Sequence, residues 1–289
     1  AAYALIRYGA STTTAPLIAA LKDPSARVRM QAARALGAIG DSTAFLHVSA
    51  AAKHDVDWRV RVNATNAMGT FSLPRMFDLL PLRDADEHVR LAALSALGAA
   101  ASRQGGYVTP AERGESVDFL IQILSGVPRD AQAQPTWREH AAAALALANT
   151  IRGEALEILA PLVRASRPLF RARLAPALVA TQDRRAFSVL RKLAADSALV
   201  VRLAVVEALP QLNDPRALNI YLTALESGDQ VLTAIAMQNL AADSLQGQQY
   251  LPKMIAAYRR LKPPLDVEAA QIIFQSLARC GDSTVVPIL

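Results

Sequence analysis

The chain has 289 residues and a formal net charge of +6, with 52% hydrophobic, 19% charged and 5% aromatic residues. This apolar content excludes a disordered chain, because disordered chains lack the hydrophobicity needed to form a core. No charge-free stretch reaches the roughly 18 residues of a membrane-spanning helix, so we expect a soluble protein without a membrane span. The single cysteine, Cys280, excludes an internal disulfide. It fits a reducing compartment such as the cytoplasm and is also compatible with the periplasm.

The first two predicted helices form a unit that the rest of the chain repeats. Helix A covers residues 14–21, and helix B follows Asp23, which is a good N-cap, with Pro24 at its first helical position. Four apolar residues of helix B fall on one face at helical spacing: Val28, Ala32, Ala35 and Leu36. Gly37 and Gly40 are typical of a helix end, and Asp41 is placed to cap the next A helix. No two-residue alternation persists, so we predict no sheet.

The centre of helix B returns along the whole chain as a valine–arginine pair or a variant of it. The copies are Val28-Arg29, Val60-Arg61, Val89-Arg90, Trp137-Arg138, Phe170-Arg171, Val201-Arg202, Val231-Leu232 and Val267-Glu268. In this series Trp137 takes the place of a core valine. The steps between the second residues are 32, 29, 48, 33, 31, 30 and 36. A period of about 30 residues is typical of a repeat array, and the long step marks an insertion.

This pattern resembles the HEAT-repeat family in its short, phycobilisome-lyase-type form, on Asp23, Val28, Arg29, Ala32, Ala33, Leu36 and Gly37 and on Asp84, Val89, Arg90, Ala93 and Leu97. The resemblance implies an all-α, right-handed α-solenoid of about eight HEAT-like helix pairs. We predict that 1–289 forms one such solenoid, within a longer protein because both chain ends lie inside helical patterns. The family's arginines and aspartates form a buried ladder between repeats. This implies that the ladder contains Arg29, Arg61, Arg90, Arg138, Arg171 and Arg202, and that Leu232 and Glu268 interrupt it.

Loop insertions are predicted near 102–114 and 126–135, at the two ends of a helix covering 115–125. Such loops often lie at a binding edge of repeat proteins, and Tyr107 would then be a contact residue. The alternative is that they are surface excursions of the chain, since long loops cost little.

The family resemblance also implies that B helices line the concave face. Residues three and four positions away from the buried apolar face of each B helix should then face a protein partner there. They are Arg27, Gln31, Arg34, Arg59, Asn63, Asn66, His88, Ser95, His140 and Arg173, with Thr136 and Glu207 as weaker members.

A basic segment covers 152–202, where ten basic and four acidic residues give the same net charge, +6, as the whole chain. Its predicted patch contains Arg164, Arg167, Arg173, Arg184 and Arg185. Nucleic acid, an anionic lipid surface or an acidic protein are candidate partners. Few aromatic residues are interleaved with these arginines, which argues against stacking of single-stranded bases.

Catalytic motifs are missing from the sequence. Glu87-His88 and Glu139-His140 invite comparison with the HEAT-repeat deoxyhypusine hydroxylases, which bind di-iron with His-Glu pairs. The order here is reversed and only two pairs occur, so we predict no metal site. Trp58 and Trp137 invite comparison with the HEAT-like alkyl-DNA glycosylases, but Trp137 is predicted to pack in the core. Cys280, without a histidine nearby in sequence, is predicted to be a small buried residue.

We therefore predict a non-catalytic, monomeric scaffold without cofactor that binds a partner protein or an adjacent domain of its own chain. One alternative is a nucleic-acid-binding solenoid that uses 152–202. The other is a bacterial HEAT module attached to a cyclophilin-type prolyl isomerase outside this segment, an arrangement known from similar arrays.

Overall fold

A computed structural model of the chain describes residues 10–71, 79–102, 110–126, 134–243 and 247–281. Every regular element within these ranges is a helix, and no strand occurs there, which confirms the predicted all-α class. The chain divides into two compact units, Ala1–Ala155 and Leu156–Leu289. The predicted single domain over 1–289 stays a prediction.

Unit 1 contains three described A helices and four B helices. The A helices are α1 (Ala10–Ala20), α3 (Phe45–His54, after a 3-10 turn at Ser42–Ala44) and α6 (Pro110–Leu124). The B helices are α2 (Ala26–Ile39), α4 (Trp58–Met68), α5 (Glu87–Ser102) and α7 (Trp137–Ile151). Each B helix packs against the next B helix, and α1, α3 and α6 each pack against the B helix that follows. This is the nearest-neighbour stacking of a repeat protein.

Unit 2 repeats the arrangement with four more pairs. Its A segments are α8 (Ala155–Leu159, continued by a 3-10 helix at Ala160–Arg164), α10 (Ala186–Ala194), α12 (Ala217–Leu225) and α14 (Leu251–Arg260). Its B helices are α9 (Pro168–Ala180), α11 (Leu199–Ala208, continued by a 3-10 turn at Leu209–Leu212), α13 (Gln230–Leu240) and α15 (Val267–Cys280). Consecutive B helices again pack against each other. The chain thus folds as an α-solenoid of helix pairs.

Small residues let neighbouring B helices of unit 1 approach closely. Gly37 lies inside α2, and a Cβ added to it would stand only 2.6 Å from Ala67 Cβ and 2.8 Å from Ala67 Cα in α4. Gly69 and Gly98 hold the same place after α4 and in α5, against alanines of the next B helix. Gly37 therefore serves helix packing, and the helix-end role predicted for it is wrong. Gly40 does end α2, in the left-handed conformation with φ 70°.

Some predicted helix boundaries are wrong by a few residues. Helix α2 begins after Ser25, and Asp23 lies two residues before that N-cap, where its side chain accepts a hydrogen bond from the Ser25 N–H at 2.8 Å. Helix α6 begins at Pro110, so the first predicted insertion loop ends earlier than 114. Tyr107 and most of both predicted loops lie outside the described residues. Val28 is 38% exposed, whereas Ala32, Ala35 and Leu36 are buried as predicted.

Candidate functional site

The segment before a B helix is built around an aspartate two residues ahead of the helix N-cap. Asp55 accepts a hydrogen bond from the N–H of Asp57 at 2.9 Å, Asp84 from that of Asp86 at 2.8 Å, and Asp196 from that of Ala198 at 2.9 Å. Aspartate favours such turns because its short side chain reaches the backbone two residues later. Each carboxylate is thereby held at a defined place beside the start of the helix.

An arginine at the fourth position of the preceding B helix reaches this carboxylate through both Nε and Nη2. The distances are 2.7 and 2.9 Å for Arg29 with Asp55, and 2.8 and 3.0 Å for Arg61 with Asp84. In unit 2, Arg171 makes the same fork on Asp196, at 2.7 and 2.8 Å. The arginine Nη1 turns back to the loop before its own helix, as from Arg171 to the carbonyl of Ala165 at 2.7 Å. Bidentate pairing of this kind is strong and geometrically specific.

These ion pairs are largely shielded from solvent. The side chains of Arg61 and Asp84 are 16% and 9% exposed. The hydrogen bond from Arg171 lowers the pKa of Asp196, and the hydrogen bond to Asp55 raises the pKa of Arg29. Asp196 and Arg29 therefore stay charged near neutral pH, and the arginines link consecutive repeats. Arg29, Arg61, Arg90 and Arg171 occupy the predicted ladder positions.

Helix α7 shows that the predicted register was wrong at Arg138. Its third and fourth residues, which correspond to the valine–arginine pair, are Glu139 and His140. Arg138 is the second residue, and its side chain is 57% exposed and 3.5 Å from Glu87. Trp137 is the first residue and does not replace the core valine. His140, predicted to face a partner, is half-buried at the ladder position. The steps of 31 residues from 140 to 171, 202 and 233 are the sequence signal that the Val-Arg search missed.

Buried Glu139 takes the place of the aspartate that the other ladder arginines bind. Arg90 has no aspartate two residues before the next N-cap, where Gln134 stands, and it donates instead to Glu139 at 2.7 and 3.5 Å. Burial opposes the charged form of Glu139, but hydrogen bonds from Arg90 and from the N–H of Thr136 outweigh it and lower its pKa. The Thr136–Glu139 capping box orients this carboxylate.

The ladder also changes in the later repeats. Arg202 occupies the fourth position of α11, but within the described residues its only hydrogen bonds go from Nη1 to the carbonyls of Asp196 and Ser197, at 2.8 and 3.0 Å. It makes no ion pair there. Arg202 therefore keeps the backbone hydrogen bonds of a ladder arginine but lacks the predicted carboxylate partner. In α13 and α15 the ladder position holds Thr233 and Ala270, one and two residues after the predicted interruptions at Leu232 and Glu268.

Within each unit the second residues of the B helices are exposed, and in unit 1 the ninth residues are exposed as well. In unit 1 the second residues are all basic: Arg27, Arg59, His88 and Arg138. The ninth residues there are Arg34, Asn66, Ser95 and Leu145, all exposed. In unit 2 the second residues of α9, α11 and α13 are apolar and exposed: Leu169 by 47%, Val200 by 39% and Val231 by 41%. We call these residues together the B-helix stripe. Gln31 and Asn63, also predicted for this surface, are half-buried, and Arg173 is exposed.

Two tryptophans flank the stripe in unit 1. Trp58 stacks on His88, with ring centroids 4.9 Å apart, and the Arg59 guanidinium lies 5.2 Å from the Trp58 ring centre. The Arg138 guanidinium lies 5.5 Å from the Trp137 ring centre. Both indoles are half-buried. Such cation–π contacts hold long side chains in place, so these arginines are partly pre-organised at the surface.

The basic residues predicted as a patch in unit 2 are not all available. Arg185 is paired with Asp183 at 2.7 Å and with Glu157 at 3.2 Å. Arg164, Arg173 and Arg184 are exposed, and Arg167 is the N-cap residue of α9. Arg185 is therefore engaged within the chain, whereas the net charge of the segment, which already counts Asp183 and Glu157, is unchanged.

Groups that could do chemistry are scattered in the described part of the chain. No cluster of three or more His, Cys, Asp or Glu placed to hold a metal occurs among the described residues. Glu87 binds Thr136 at 2.6 Å and Arg138, and Glu139 binds Arg90. Cys280 is 1% exposed, and burial raises the pKa of its thiol, in agreement with its predicted packing role. None of the described helices is long and apolar enough to cross a membrane.

Paired helices, stacked B helices and inter-repeat arginine forks define a helical-repeat protein of the α-solenoid class. The HEAT-repeat profile matches residues 1–69 and 156–241, which together are more than half of the chain. The chain therefore belongs to the HEAT-repeat family. This confirms the family predicted from the sequence.

Solved structures show the same fold at low sequence identity. The chain is similar to the phycocyanin lyase complex of CpcE and CpcF from Nostoc sp. PCC7120 (TM-score 0.50, 20% identity), covering 86% of this chain and 96% of that one. It is similar to YibA of Escherichia coli (TM-score 0.51, 16% identity, 96% of both chains). It is also similar to importin beta (TM-score 0.53, 14% identity), covering 96% of this chain but 42% of importin beta. No curated protein sequence matches the chain.

Proposed function

We propose that the chain is a non-catalytic scaffold that binds a partner protein along the B-helix stripe. The observation that carries this proposal is the row of exposed second residues in consecutive B helices, flanked in unit 1 by Trp58 and Trp137. Tryptophan and arginine are enriched among the residues that dominate protein–protein binding energy. The stacking of Trp58 with His88 and Arg59 reduces the entropy that these side chains lose on binding.

A protein partner accounts for both halves of the stripe, whereas a nucleic acid does not account for the apolar half in unit 2. In unit 2 the stripe residues Leu169, Val200 and Val231 are apolar, although this unit contains most of the basic segment. Phosphate recognition needs cations along the contact. The phycocyanin lyase structure is itself a complex of two proteins, CpcE and CpcF, which adds support for a protein partner.

The proposal is tested by affinity capture with the purified chain, followed by calorimetry with the captured protein. Trp58→Ala and Arg59→Ala are expected to weaken binding at least roughly tenfold each, as truncation of central interface residues does. Leu46→Ala is the matched control, because Leu46 is 72% exposed on the A helix α3 and lies outside the stripe. Equal loss with Leu46→Ala, or no loss with either stripe variant, would refute the proposed surface.

The nucleic-acid alternative is tested separately with duplex DNA over a range of salt concentrations. Binding that falls steeply with salt and is abolished by reversing the charges of Arg164 and Arg173 would favour that alternative. We expect no salt-dependent binding of this kind.

A further inference from the structure

A pocket of about 800 Å³ lies inside unit 2, between α10, α11, α12 and the start of α13. Its apolar lining includes Phe187, Val206 and Ile220. Three arginines also line it, Arg191, Arg202 and Arg216. This volume falls in the range of small-ligand sites, which combine apolar walls with a few polar groups that orient the ligand.

Arg202 is the ladder arginine that lacks a carboxylate. Arg29, Arg61, Arg90 and Arg171 each place Nε and Nη2 on a carboxylate of the next repeat. Arg202 repeats only the inner half of this arrangement, with Nη1 on the carbonyls of Asp196 and Ser197. In the described part of the chain its Nε and Nη2 donate to no protein acceptor. A guanidinium held by Nη1 thus has two parallel donors left for a ligand.

Ser227 stands where the missing carboxylate would be. It lies two residues before the N-cap Asp229, and its Oγ accepts a hydrogen bond from the Asp229 N–H at 3.2 Å. Asp55, Asp84 and Asp196 accept the equivalent bond in their own turns. The turn at Ser227 therefore has the same hydrogen bond as the other turns, but its side chain carries no negative charge. Ser227 and Arg202 both line the pocket.

The other charges of the pocket leave an excess of positive charge. Asp196 is already forked by Arg171, and Arg216 is paired with Asp214 and lies 4.5 Å from the Phe187 ring centre. Arg191 is exposed and makes no ion pair among the described residues. Glu226 also lines the pocket and forms no ion pair with these arginines. Two unpaired arginines therefore face one unpaired carboxylate.

We propose that this pocket binds an organic carboxylate, which completes the arginine ladder from outside the chain. The carboxylate accepts the fork from Arg202 Nε and Nη2, as Asp196 accepts the fork from Arg171. Arg191 adds a second positive charge, and the ligand's apolar part packs against Phe187 and Ile220. A carboxylate is favoured over other anions because four equivalent arginines of this chain hold one with the same two donors. The inference does not depend on the function proposed for the B-helix stripe.

The test follows the Arg202 Nε–Hε signal by nuclear magnetic resonance in the full chain during titration with two probes. Glutarate represents a free small acid, and the blocked peptide acetyl-Leu-Asp-Leu-amide represents an acidic side chain of a protein. We expect a saturable shift of this signal with at least one probe. A response to glutarate alone would identify a small-molecule site, and a response to the peptide alone a peptide site. No saturable shift with either probe would overturn the proposal.

Ser227→Asp supplies the missing carboxylate from within the chain, and Ser227→Asn is its uncharged control of nearly equal size. We expect Ser227→Asp to weaken probe binding at least tenfold without lowering thermal stability, while Ser227→Asn stays within about twofold of the original affinity. Arg202→Lys, which keeps the charge but loses the fork, is a second variant and is expected to lose at least tenfold. Probe binding unchanged in both Ser227→Asp and Arg202→Lys would refute the site.

Discussion

Substitution of Gly37 by alanine tests the close contact between B helices on which the stacking of unit 1 depends. The added Cβ would lie 2.6 Å from Ala67 Cβ and 2.8 Å from Ala67 Cα, whereas ordinary contacts begin near 3.4 Å. Neither neighbour is the end of a flexible side chain, so α2 and α4 have to separate by most of an ångström. Overpacking of this kind costs about 1–3 kcal/mol. The better helix propensity of alanine returns about 1 kcal/mol, and we expect a net loss of up to about 2 kcal/mol.

Tryptophan fluorescence during urea unfolding measures the loss of stability in unit 1, which contains Gly37. Trp58 and Trp137 are the two tryptophans of the chain, and both belong to unit 1, which also contains Gly37. With a slope of about 2 kcal/mol per molar urea, the midpoint should fall by up to roughly 1 M. A fluorescence probe restricted to one unit is needed because two units need not unfold together.

Gly114→Ala is the matched control, since Gly114 lies inside α6 and, among the described residues, no atom beyond the neighbouring backbone of its own helix lies within 4 Å of an added Cβ. There the gain in helix propensity is unopposed, and we expect stabilisation by up to about 1 kcal/mol. The double variant Gly37→Ala with Ala67→Gly should recover part of the loss, because the two sites are in contact and their effects are not additive. Stabilisation by Gly37→Ala equal to that by Gly114→Ala would show that the proposed close packing is wrong.

Two further predictions concern the ion pairs. Asp84→Asn removes the charge that Arg61 holds in a largely buried fork and should destabilise unit 1 by about 1–3 kcal/mol in urea unfolding. The control is Asp57→Asn, because Asp57 lies 3.7 Å from Arg59, whose side chain is 65% exposed. This substitution should change the free energy of unfolding by less than about 0.5 kcal/mol. Equal effects of the two substitutions would contradict the structural role of the ladder. In unit 2, the hydrogen bond from Arg216 lowers the pKa of Asp214 from 3.8 to about 2. Its stabilising effect is thus present above about pH 4 and is lost as the pH falls toward 2, which circular dichroism of the original chain and of Asp214→Asn can measure.

Local sequence determined the repeating unit, because helix propensity, capping and helical spacing act within about fifteen residues. The period and the helix pairs followed from this local signal, whereas the ladder role of Arg29, Arg61, Arg90 and Arg171 was implied by the family resemblance. The same local view chose the wrong pair in α7, since Trp137-Arg138 resembles the Val-Arg motif more than Glu139-His140 does. The equal spacing of 31 residues between 140, 171, 202 and 233 would have corrected it.

The site itself depends on contacts that no local pattern contains. Arg90 and Glu139 are 49 residues apart, across an insertion, and only the packing of α5 against α7 makes a buried glutamate the partner of that arginine. The unpaired fork of Arg202 is likewise visible only when the turn at Ser227 is placed beside it in the same pocket. The sequence by itself thus determined which units stack and where the arginines lie. Tertiary structure decided which carboxylate each arginine meets, because ion pairing depends on distance in space and not along the chain.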